Sequence, residues 1–205
     1  VADTADLWVV GLADDGDIAW ESITPGLHGN ITGHDLRGLA GSRAVHLTDG
    51  DVNSARFRIY DNQGEVVADE DLTRLTVGHD QLCPGREVFG IRGGNQIVGF
   101  SSDGNPHFDI TLPTVDEGDV VGTGCGMDDD GSAIAARNVT VGGAERLIID
   151  GYREDILEWS HELPHNYGDA GGPPEVFIED HRAWVFISGP SNGTARYMHA
   201  VVVAI

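Results

Sequence analysis

Thr32-Gly33-His34-Asp35-Leu36 and Val77-Gly78-His79-Asp80-Gln81 write the same Gly-His-Asp triplet at two points of the chain. A histidine beside a carboxylate can hold a metal through an imidazole that the carboxylate orients, or can pass a proton as an acid-base pair. The same pair can also tie a backbone group and serve only its own stretch of the fold. His34, Asp35, His79 and Asp80 are therefore candidates for a binding face, and no residue is singled out as catalytic. The corresponding segments further on, Gly122-Thr123-Gly124 and Gly168-Asp169-Ala170, lack the histidine, which argues against a ring of metal ligands.

Two acidic runs offer a second kind of chemistry. Asp49-Gly50-Asp51-Val52-Asn53 and Asp128-Asp129-Asp130-Gly131-Ser132 place alternate oxygen-bearing side chains beside a glycine, as a hard cation needs from a tight loop. Asp49, Asp51, Asp128 and Asp130 are the calcium candidates. A solvated acidic turn is the competing reading, because neither run carries the remaining ligands of a helix-loop-helix calcium site. No other cofactor is expected: the chain has no phosphate-cradling loop, no nucleophile elbow and no Cys/His zinc spacing.

The elements that must position these residues are hairpins. In Arg56 to Tyr60, Phe57 and Ile59 alternate with Arg56, Arg58 and Tyr60, the period of two that turns one face to a core and the other to water. Asp61-Asn62-Gln63-Gly64 reverses the chain and Glu65-Val66-Val67 starts back. The same pattern recurs at Leu7 to Trp20 around Gly16, at Gln96 to Phe108 around Gly104, and at Glu145 to Trp159, where 150 to 155 reads as the turn. Turn markers recur every 40 to 50 residues, roughly the period of four-stranded blades, and no 3.6-residue pattern competes. Ahead of the later hairpins stand short apolar runs, Ala44 to Leu47, Glu87 to Ile91, Ala133 to Ala136 and Ala183 to Ile187, which read as crowded inner strands beside a central channel. A further extended piece follows three hairpins, near 75–77, 120–121 and 176–178, giving about four strands per period.

An apolar strand, Asp-x-x-Gly, and a strand ending in Trp resemble the blades of pyrroloquinoline-quinone-type β-propellers. The pattern is carried by Asp14-Asp15-Gly16 with Trp20, Asp61 to Gly64, Asp103-Gly104, and Glu154-Asp155 with Trp159. Ala68 and Phe108 stand where the other two Trp would be. The resemblance implies an all-β chain of four to five blades, each of about four antiparallel strands, forming one domain over residues 1–205. It also implies either quinoprotein dehydrogenases or non-enzymatic scaffolds. Both ends of the chain read as the same strand of a blade, so the expectation is an arc of a larger propeller, its edges covered by further blades from a longer chain, another chain or another copy.

Cys83 and Cys125, the only cysteines, fall at comparable places in successive repeats and are expected to pair. Asn30-Ile31-Thr32, Asn138-Val139-Thr140 and Asn192-Gly193-Thr194 match the glycosylation acceptor pattern. Together they point to an extracytoplasmic address, whether secreted, periplasmic or on the cell surface. The sequence carries 34 acidic residues against 12 basic ones, all arginine, for a net charge of −22. Phosphate contacts need cations, so nucleic acid and anionic membrane faces are excluded as partners, and no run is long and apolar enough to insert as a helix. Lysine-free acidity fits salt adaptation or high-GC coding, with an acidic surface for one cationic partner as the other reading.

The function these features favour is a non-catalytic binding or assembly module that holds a partner protein or a surface polymer. The alternative is a fragment of a quinone- and calcium-dependent dehydrogenase. Against the enzyme stand the absence of adjacent cysteines and of a cofactor-stacking Trp cluster.

Overall fold

The computed structural model describes residues 5–13, 15–27, 33–49, 55–72, 81–115, 118–164, 173–188 and 198–204. The described chain is almost all β, in five antiparallel sheets whose strands follow one another in sequence order. The first sheet pairs β1 (Ala5–Leu12) with β2 (Ile18–Leu27). The second holds β3 (Gly33–Leu39), β4 (Arg43–Asp49), β5 (Ala55–Tyr60) and β6 (Val66–Leu72). The third holds β7 (Gln81–Cys83), β8 (Val88–Gly93), β9 (Gln96–Ser101) and β10 (Pro106–Thr111). The fourth is β11 (Gly118–Met127), β12 (Ser132–Val141), β13 (Ala144–Arg153) and β14 (Ile156–Pro164). The fifth is β15 (Glu175–Glu179), β16 (Arg182–Ser188) and β17 (Met198–Ala204).

Each sheet packs a face on the next, as propeller blades do. Phe57, Val45 and Leu47 of the second sheet bury against Phe89, Ile91 and Phe100 of the third. Ile97, Phe108 and Ile110 of the third meet Met127, Ala135 and Tyr152 of the fourth. Ile134, Leu147 and Ile149 of the fourth meet Val176, Val185 and Ile187 of the fifth. Trp20 of the first sheet stacks on Tyr60 of the second, with ring centroids 6.0 Å apart. The first strands of neighbouring sheets also meet: β3 touches β7, β7 touches β11, and β11 touches β15. That line of contacts marks the inner edge of the stack.

The hairpins are those the sequence marks, and they share a device. In the hairpin of the first sheet and in the three that join a third strand to a fourth, the register slips within a few residues of the turn. In three of them an aromatic ring of the outer strand lies over a glycine of its partner: Trp20 over Gly11, Phe108 over Gly99 and Trp159 over Gly151. A Cβ on any of these glycines would stand within 2.4 Å of ring carbon, so the residue cannot be larger. Trp20 and Ala68 also abut Gly64 and Gly104, the turn glycines of the next sheet, which have positive φ.

Four expectations need correction. The apolar runs at 44–47, 88–91, 133–136 and 183–187 are second strands, and their crowding is between sheets; Ala133, Ala135 and Ala136 are fully buried there. The extended pieces at 120–121 and 176–178 open the next sheet and do not finish their own. Tyr60 and Arg58 do not face water, because the first sheet covers that side of β5 and leaves Tyr60 wholly buried. Finally, β13 runs on to Arg153, so Asp150 lies within a strand, fully buried, and the turn is confined to Glu154 and Asp155.

Candidate functional site

The first strands carry the sequence candidates toward the inner edge of the stack. Asp35 lies on β3, where its Oδ2 accepts the backbone N–H of Leu82 on β7 at 3.2 Å while Arg37 pairs with Oδ1 at 3.2 Å. It therefore laces two sheets together, which is the structural of its two readings. His34 is on the same strand one residue earlier, and its side chain is not described; His79 and Asp80 lie outside the described residues. Arg37, Gln81, Leu82, Cys125, Glu175 and Phe177 then surround a cavity of about 320 Å³ between the first strands of four sheets. Cys83 and Cys125 are joined across the third and fourth sheets, with Cα atoms 4.8 Å apart, and fix one wall of it. β11 can approach β15 this closely because it presents Gly122, Gly124 and Gly126; a Cβ on Gly124 would stand 1.9 Å from the carbonyl oxygen of Pro174.

At one end of the same strand, the turn after β11 joins three sheets. Asp129 Oδ1 accepts the backbone N–H of Glu87 from the third sheet at 3.0 Å, and Asp128 Oδ2 lies 2.9 Å from Nδ1 of His181 in the fifth. Asp130 Oδ1 accepts the N–H of Ser132 at 2.9 Å, and that bond holds its carboxyl below the usual range against the opposing pull of burial, with Ser132, Arg153 and His181 assisting. Asp128, Asp130 and His181 could share one cation, since their ligand atoms lie within 4.8 Å of one another. An imidazole in the set suits a borderline transition metal better than calcium, which takes oxygen ligands. Sequence reasoning found the two aspartates and missed the histidine, which comes from another sheet and shares no local pattern with them. Of the other acidic run, Asp49 ends β4 with its side chain undescribed, and Asp51 lies outside the described residues.

Among the glycosylation candidates, Asn138 is 1% exposed within β12, so the folded chain has no room for a glycan on it; Asn30 and Asn192 lie outside the described residues.

Among the described residues, the two sheets at the ends of the stack each gather exposed large apolar side chains on one face. On the face of the first sheet turned away from the second, Trp8 is 59%, Leu12 66%, Ile18 57% and Ile23 59% exposed. On the face of the fifth sheet turned away from the fourth, Phe177, Trp184 and Val202 lie side by side in register and are also exposed. The opposite faces of both sheets are buried: Val9 in one, and Val176, Ala183, Val185 and Ile187 in the other. No described helix is long and apolar enough to cross a membrane.

No family model matches the chain, and no curated protein does. Solved structures similar to it include BBS1N in complex with ARL6DN, at 12% identity and a TM-score of 0.48 over 88% of this chain and 55% of that one. Another is KlHsv2 with loop 6CD replaced by a Gly-Ser linker, at 11% identity and a TM-score of 0.47 over 82% of this chain and 58% of that one. The chain thus spans little more than half the length of each, and a likeness of this degree carries no functional information.

Proposed function

We propose that this chain is a non-catalytic binding and assembly module that works outside the cytoplasm and holds a protein partner through the outer faces of its two end sheets. The observation that carries this reading is the pair of exposed apolar faces, Trp8, Leu12, Ile18 and Ile23 on the first sheet and Phe177, Trp184 and Val202 on the fifth. Surface hydrophobes scattered singly are ordinary, but here they share a face and sit in register, as they do on the covered faces inside the stack.

The two faces are of opposite kinds. Inside the stack, each sheet turns one side to the sheet before it and the other to the sheet after it. The first sheet leaves open the side that turns to a preceding sheet, and the fifth leaves open the side that turns to a following one. The occupant each face fits is therefore another β-sheet with an apolar face, and in the isolated protein a second copy can supply it. The disulfide suits an oxidising compartment.

Cross-linking by cysteine placement tests the geometry. Ile23→Cys in one sample and Val202→Cys in another should give mixed disulfide dimers on oxidation, well above the level of either variant alone. Equal yields of mixed and like pairs would overturn the face-to-face arrangement. A coloured native protein would overturn the non-catalytic reading in favour of a quinone enzyme.

A further inference from the structure

Turns from two different sheets meet at one corner of the stack. The turn between β11 and β12 presents Asp128 and Asp130, and the two-residue turn between β15 and β16 presents His181. Asp180 and His181 both have positive φ, 50° and 55°, as a type I′ hairpin turn requires. From there the imidazole reaches back to the fourth sheet, with Nδ1 2.9 Å from Oδ2 of Asp128. The protein does not balance the charge gathered at this corner. The Asp128 side chain is only 14% exposed, its Oδ1 accepts the N–H of Asp129, and its Oδ2 meets His181. Asp129 and Asp130 add two more carboxylates to the same turn. Among the described residues Arg153 is the arginine that approaches them, 3.9 Å from Oδ2 of Asp130, and it is shared with Glu158 at 3.2 Å. A carboxylate taken largely out of water loses hydration that only a facing cation restores. A merely solvated acidic turn would leave Asp128 in water, and this fold does not.

The spacing and the donor types select the cation. A six-coordinate ion with bonds of about 2.1 Å holds neighbouring ligands about 3 Å apart and opposite ones about 4.2 Å apart. Asp128 and His181 already stand at the first of these spacings, and all three ligand atoms lie within 4.8 Å of one another. His181 is 70% exposed, so its ring is free to turn and close the remainder. Calcium and magnesium take oxygen ligands, whereas an imidazole nitrogen beside two carboxylates suits zinc, cobalt or nickel. We propose that Asp128, Asp130 and His181 form a binding site for a divalent transition-metal ion of the zinc class, bridging the fourth and fifth sheets. Because its ligands come from both sheets, the bound ion clasps the fifth onto the fourth and stabilises the folded chain. The site is separate from the end-sheet faces and does not depend on them.

The test is calorimetric titration of the intact, chelator-treated chain with Zn²⁺, Co²⁺, Mg²⁺ and Ca²⁺, in half-molar sodium chloride to screen the diffuse surface charge. The tightest Zn²⁺ and Co²⁺ binding should saturate at one ion per chain, at least tenfold tighter than Mg²⁺ or Ca²⁺. Asp130→Asn keeps an oxygen for the N–H of Ser132, and His181→Gly suits the positive φ of its turn. Each should weaken Zn²⁺ at least tenfold while the circular dichroism spectrum stays unchanged. Zn²⁺ should raise the melting temperature of the wild-type chain and leave that of His181→Gly where it was. His161→Ala, which removes an exposed imidazole elsewhere on the fourth sheet, should not alter the affinity. Failure of Zn²⁺ to saturate, Mg²⁺ or Ca²⁺ binding as tight as Zn²⁺, or Zn²⁺ binding untouched by His181→Gly would each overturn the assignment.

Discussion

The fourth sheet and the first are built from the same hairpin, yet they meet their surroundings in opposite ways. Each folds an aromatic ring over a glycine of the partner strand, Trp159 over Gly151 and Trp20 over Gly11, and each slips register beside the turn. The fourth sheet is covered on both faces, by Tyr152 and its neighbours toward the third sheet and by Ile134, Leu147 and Ile149 toward the fifth. The first sheet is covered on one face only, and the other displays Trp8, Leu12, Ile18 and Ile23. Hairpin chemistry therefore sets the shape of a sheet, while its neighbours set what it contributes. A doubly covered sheet contributes stability, and a singly covered one contributes a surface.

The disulfide should give the largest effect on the covered side. It closes a span of 42 residues between the third and fourth sheets, and replacing both Cys83 and Cys125 with alanine should cost about 4 kcal/mol by the loss of chain restraint. Denaturant titration checks this, and mass measurement before and after reduction checks the bond itself. Next comes a matched pair of truncations. Leu147→Ala opens a cavity in the core between the fourth and fifth sheets and should cost about 3 kcal/mol. Trp8→Ala, on the open face of the first sheet, should move stability by less than about 0.5 kcal/mol. Equal losses from the two would erase the distinction between covered and open faces.

Titration sharpens it at both ends of the pH scale. Burial raises the Asp69 carboxyl, but hydrogen bonds from Arg56 and Arg58 outweigh it, so its pKa lies below the usual carboxylate value, as does that of Asp130. Groups with a lowered folded pKa stabilise above about pH 4 and lose that contribution as pH falls further. Tyr152 runs the other way. Burial first, and the charge of Asp150 second, push its hydroxyl up to about 12, so its contribution is complete below about pH 10 and fades as pH rises toward 12. Melting temperature should therefore drop at both extremes, and absorbance at the phenolate band should show one tyrosine that ionises late. The smallest effect is that of salt: with a net charge of −22, the chain should melt a few degrees higher in molar sodium chloride than in dilute buffer, as screening relieves self-repulsion.

Much of the architecture is legible in the sequence, and what is not has physical causes. Period-two alternation and Asp/Gly turns mark each hairpin, because strand pleating and positive φ leave local signatures. Strand membership does not: β7 is only Gln81–Cys83 and β11 is rich in glycine, so neither reads as a strand that opens a sheet. The faces of β5 looked half polar because Arg58 and Tyr60 alternate with Phe57 and Ile59, and only the packed first sheet reveals that both faces are buried. The Asp150–Arg137 pair was hidden for the same reason. An aspartate near a turn reads as solvent-facing, and its pairing with Arg137 depends on the cross-strand register of β12 and β13, which no local pattern states. Asp128 and Asp130 stand out as an acidic run, whereas His181 reaches them only through the packing of the fifth sheet on the fourth.

The open faces of the first and fifth sheets hold the central claim, and light scattering tests it most directly. In molar sodium chloride, where charge repulsion is screened, the isolated chain should show a molar mass that rises reversibly with concentration above its 21.8 kDa. Trp8→Glu combined with Trp184→Glu should restore the mass of a single chain without changing the circular dichroism spectrum. A wild-type chain that stays at 21.8 kDa across that concentration range would contradict the account, as would association that both substitutions leave intact.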